Sequence, residues 1–105
     1  MIAEPNAGPI VVCLARELER MIPAYLENRW LDADALADAL RRGDYDDVRL
    51  IGRTMQGTAE VYGLPHLARL GKALAAAGRE HAADRIGRRI DELRGYLRRL
   101  KVIYQ

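Results

Sequence analysis

The chain has no phenylalanine, a single cysteine, and six aromatic residues in 105, one Trp and five Tyr. A core this poor in rings has to be built from Leu, Ile, Val, Ala and Met, the composition of a helical bundle. Cys13 has no partner for an internal disulfide, which suits a reducing cytoplasm, and its place in an apolar run assigns it to the core as a small residue. Long apolar runs are missing too. The longest, Pro9 to Ala15, falls far short of the roughly 20 residues a bilayer span requires, and no basic segment precedes it. Neither export nor a membrane is expected. The two histidines, His66 and His81, have no Cys or paired carboxylates at ligand spacing, so no metal or cofactor is expected.

At 105 residues the chain is long enough for one core and too short for two. Residues 1–8, with Pro5, Asn6 and Gly8 among small residues, are expected to form a flexible start, and 9–105 a single domain. The net charge of +2 hides a gradient. Met1 to Asp47 carries five Arg against ten acids, and Arg79 to Gln105 eight Arg plus Lys against four. The arginine-rich end has no stacking aromatics along its basic face and no DNA-binding motif, so nucleic acid is not the expected partner.

Apolar spacing gives the elements. Ile10, Leu14, Leu18 and Met21 recur at helical intervals and predict a first helix over Pro9 to Ile22. A second begins near Pro23, carries Leu26, Trp30, Ala33, Ala37 and Leu40 inward, and stops at Arg42 with Gly43 as its cap. Asp44 and Asp47 signal the start of a third, which Gly63 ends. Pro65 opens a fourth with Leu67, Leu70, Leu74 and Ala77 inward, Gly71 allowing close packing and Gly78 as its stop. The last, from Arg79, repeats Ala83, Ile86, Ile90, Leu93, Leu97, Leu100 and Tyr104 in steps of three and four. Short glycine connections turn successive helices back on one another. The expected architecture is all-α: an up-down-up-down four-helix bundle with an additional N-terminal helix.

The stretch Gly43 to Leu64, GDYDDVRLIGRTMQGTAEVYGL, organises the rest. At 100° per residue, Val48, Ile51, Met55, Thr58, Ala59 and Tyr62 share one side, and Arg49, Arg53, Gln56 and Glu60 the other. Gly52 and Gly57 flank that polar stripe, each costing about 1 kcal/mol of helix stability relative to alanine, and glycine beside a projecting side chain lets another surface approach. The stretch resembles the signature helix of histidine-phosphotransfer domains. There a phosphorylatable histidine is followed by lysine three residues on, glycine four on and a helix-ending glycine ten on. Those positions here hold Arg53, Gln56, Gly57 and Gly63. PAYLENRW and LADALRRGDYDDVRLIG upstream, with VYGLPHLARLGKAL downstream, extend the resemblance over roughly Met21 to Tyr104.

The resemblance implies a phosphorelay setting, in which an imidazole takes a phosphoryl group from a kinase or a receiver aspartate. Arg53 cannot act in its place, because a guanidinium stays protonated, offers donors and has no acceptor lone pair. Gln56 brings none of the charge a lysine would set against phosphate. The expected function is therefore not enzymatic. It is that of a phosphotransfer-like protein binding a response-regulator receiver domain or a hybrid sensor kinase through Arg53, Gln56, Gly57, Gly52, Arg49 and Glu60. A fixed cation at Arg53 would pair with the receiver's carboxylates or its aspartyl phosphate. Two alternatives are a structural bundle that self-associates, the chain otherwise being a monomer or weak homodimer, and a relay through His66 or His81.

Overall fold

A computed structural model describes residues 8–105 of the chain. Most of them lie in four helices, α1 (Ile22–Arg42), α2 (Tyr45–Tyr62), α3 (Pro65–Arg79) and α4 (Ala83–Arg99). Two strands, β1 (Ile10–Leu14) and β2 (Leu100–Tyr104), precede and follow them. The expected flexible start lies outside the described residues, except for Gly8.

Helix boundaries follow local chemistry. Gly43 and Gly63 close α1 and α2 in the left-handed region, at φ 70° and 78°, where a Cβ would be strained. The Asp44 carboxylate accepts the Asp47 backbone N–H at 3.0 Å and caps α2. Pro23 and Pro65 sit in the first turns of α1 and α3, where a missing N–H costs nothing. α1 packs against α2 and α4, and α3 packs against the same two. The centre is aliphatic, with Ile22, Leu36, Met55, Leu64, Leu67, Leu74, Ile86 and Leu93 fully buried. Among the described residues no helix is long and apolar enough to cross a membrane.

The tightest packing is between α2 and α3. A Cβ on Gly71 would lie 2.6 Å from the Gln56 backbone nitrogen and from the Gly52 carbonyl, and one on Gly78 would lie 2.9 Å from the Arg49 nitrogen. Backbone therefore meets backbone along this seam. Residue numbers fall on α2 as they rise on α3, so the two helices run antiparallel. Gly71 permits close packing, as expected. Gly78 does not stop its helix: α3 continues to Arg79, and the chain turns at Glu80 and His81, the latter at φ 53°. Its hydrogen side chain serves the seam instead.

Several expectations are corrected. No helix forms over Pro9 to Ile22; Ile10–Leu14 is a strand, followed by a single 3-10 turn at Arg16–Leu18. The last helix does not reach Tyr104, because Leu100–Tyr104 is the strand that pairs with β1, in parallel, with Ile10 opposite Leu100 and Leu14 opposite Tyr104. Both segments, IVVCL and LKVIY, are rich in β-branched residues, which fit a pleated surface better than a helix. Cys13 is exposed on the outward side of β1 rather than in the core. The inward stripe of α1 is rotated from the expected one: Ile22, Tyr25, Arg29, Ala33, Leu36 and Ala39 are buried, and Trp30 is partly exposed.

Candidate partner-binding face

The middle of α2 presents Arg53 to solvent. One turn on, Gly57 is open, with nothing within 4 Å of where its Cβ would be. Arg53, Thr54, Gly57, Thr58, Val61 and Tyr62 line a shallow groove of about 320 Å³ on this side. Val61, in its lining, is 80 % exposed, and Leu50 on the same helix is 61 % exposed. Glu60 is exposed, and Gln56, half-buried, donates to its carboxylate at a long 3.5 Å. Arg49 is half-buried beside the backbone of Gly78.

Gly52 does not belong to this face. It is buried, and a Cβ there would lie 2.6 Å from the Ala75 nitrogen and 2.7 Å from the Gly71 carbonyl. The surface it lets approach is the protein's own α3. Of the two glycines expected to admit a partner, the structure leaves only Gly57 available.

Behind the groove lies a polar cluster that the sequence reading missed. Thr58 Oγ1 shares a hydrogen bond of 2.8 Å with the Tyr25 hydroxyl and accepts one of 3.3 Å from Arg29 Nη1. The Arg29 guanidinium stacks over the Tyr25 ring at 4.4 Å, and its Nε lies 2.8 Å from Asp32 Oδ2. Arg29 is 9 % exposed, so its charge is compensated by Asp32 and the ring rather than by water. Burial pushes the Asp32 carboxyl above its usual range, and the Arg29 charge opposes the shift. Tyr62 meets Tyr25 edge-on at 4.6 Å. These bonds fix one wall of the groove. The signal available in sequence was the spacing Tyr25, Arg29, Asp32, which places three interacting groups on one helix face.

The histidines lie elsewhere. His66 sits between α3 and α4, tilted against Tyr96 at 4.8 Å with Glu92 at 3.8 Å, and His81 in the following turn stacks on Tyr45 at 4.3 Å. Among the described residues no group of three or more His, Cys, Asp or Glu is placed to hold a metal ion. The face thus offers an outward guanidinium, hydroxyls, an open glycine and two exposed apolar side chains. These are donors and contact surface without a basic nitrogen lone pair beside them.

Comparison with protein-family models, characterised proteins and solved structures gives no match to this chain.

Proposed function

We propose that this protein is a signalling adaptor of the histidine-phosphotransfer type, an up-down-up-down four-helix bundle that binds a receiver domain or a sensor kinase and carries no phosphate itself. The observation that carries this reading is Arg53, exposed at the middle of α2 beside the open Gly57, at the position where the family's helix bears its histidine. A guanidinium there supplies a permanent charge and several donors to a partner's carboxylates or aspartyl phosphate, which supports binding without transfer. A titration against a panel of receiver domains tests it. Arg53→Ala should weaken binding by about tenfold, as loss of a central charged contact does; unchanged affinity removes Arg53 from the interface. Incubation with labelled phospho-kinase or phospho-receiver should leave the protein unlabelled, and stable label would refute the adaptor reading.

Self-association is the second reading. It is favoured by the outward side of the β1–β2 ribbon, where Val11 and Ile103 are exposed apolar residues. Light scattering tests it: a dimer that Val11→Asp abolishes supports contact through the ribbon, and a monomer at high concentration overturns this reading.

A further inference from the structure

We infer that the docking face spans two helices: Lys72 of α3 stands beside Arg53 and supplies the second positive charge that Gln56 does not. This rests on the adaptor reading and specifies the chemistry of its partner, an acidic protein surface with clustered carboxylates, as a receiver domain presents.

The seam carries the inference. Gly52 and Gly71 oppose each other so closely that neither admits a Cβ. Arg53 and Lys72 each follow one of these glycines, and both are exposed. One residue past a contact point, a helix has turned by about 100°. In an antiparallel pair the two turns carry the side chains to the same side of the seam. The residues one step before the glycines, Ile51 and Leu70, turn inward, half-buried and buried respectively. Two turns further along α3, Gly78 meets the Tyr45 carbonyl and the Arg49 nitrogen, and the exposed Arg79 that follows it turns to the same outer side as Lys72. Arg53 and Lys72 therefore face one another on the outer side of the seam, and Arg79 extends that side along α3. Glycine contact brings these helices closer than larger side chains would, within reach of long basic residues.

These three are also unspent. None forms an ion pair among the described residues, whereas Arg85, Arg89 and Arg94 of α4 are held by Glu80, Glu92 and Asp34. The exposed acids of α2, Asp46 and Glu60, stand toward its two ends, Asp46 at the level of Arg79, and leave the middle, at Arg53 and Lys72, positive. Such a surface attracts an opposed set of carboxylates and fixes its orientation.

The test is the receiver titration extended to Lys72→Glu, Arg79→Glu and, as a control on the outer face of α4, Arg88→Glu, with helix content checked for each. Lys72→Glu and Arg79→Glu should each weaken binding by about tenfold, and Arg88→Glu by less than about twofold. If the wild-type chain binds no receiver, the receiver-binding form of the adaptor reading falls and this inference with it. If Arg53→Ala weakens binding while Lys72→Glu and Arg79→Glu do not, the adaptor stands and the two-helix face is overturned. An equal loss with Arg88→Glu also overturns it, since attraction would then be diffuse rather than localised on the seam.

Discussion

His66 is half-exposed between α3 and α4, with Glu92 3.8 Å from its Nε2. Burial lowers its pKa below the usual 6.5; Glu92 opposes this, and Arg69 and Arg99 add to it. A base whose folded pKa is depressed binds fewer protons folded than unfolded in the window just below 6.5, so stability rises with pH there and is lost as pH falls through it. Melting temperatures measured from about pH 5 to 7 should rise with pH, and the slope should flatten in His66→Gln. An unchanged slope would assign it to other groups. At this scale the outward direction of Arg53 and Glu60 was legible, because both obey helical spacing on a well-bounded helix. Arg29 was not. A buried arginine is tolerable only with the partners that surround it, and one of them, Thr58, comes from another helix.

Two glycines of α2 should respond oppositely to the same substitution. At Gly52 a methyl group would collide with the backbone of Gly71 and Ala75, which cannot rotate away, so α2 and α3 would have to part. Gly52→Ala should cost about 1–3 kcal/mol in urea unfolding, the range for overpacking. At Gly57 the added methyl meets nothing, and Gly57→Ala should stabilise by about 1 kcal/mol through helix propensity alone. If Gly57 is the point of approach for a receiver, that same variant gains stability and loses affinity. Helix ends were legible because Gly43, Asp44 and Gly63 are strong local signals. The terminal strands were not, because Ile10 and Leu14, like Leu100 and Tyr104, are also spaced as a helix would space them. The β-branched content of both segments was the cue, and pairing over ninety positions of sequence lay beyond any local pattern. Gly52 was misplaced for a related reason: α2 is covered on two sides, by the core and by α3, and an amphipathic reading allows for one.

Across the whole molecule, the β1–β2 ribbon ties the start of the described chain to its end. The Arg16 N–H donates to the Gln105 carbonyl at 2.9 Å, and the Gln105 N–H to the Leu14 carbonyl at 3.0 Å. The alternation of a parallel ladder then directs the Val12 N–H toward β2 and the Val11 N–H to the open edge. Val12→Pro removes a ladder bond, and Val11→Pro does not. The first should be less stable than the second by about 1–3 kcal/mol, read from denaturant midpoints. Equal stabilities would mean that the ribbon does little to hold the fold together.

Because β1 and β2 point the same way, Gly8 and Gln105 leave from opposite ends of the ribbon. Tension applied through those two residues would slide one strand lengthwise past the other, loading every rung of the ladder at once instead of peeling them singly. The four helices lie between the strands in sequence and outside the line of force, so they would stay folded until that shear clasp gave way.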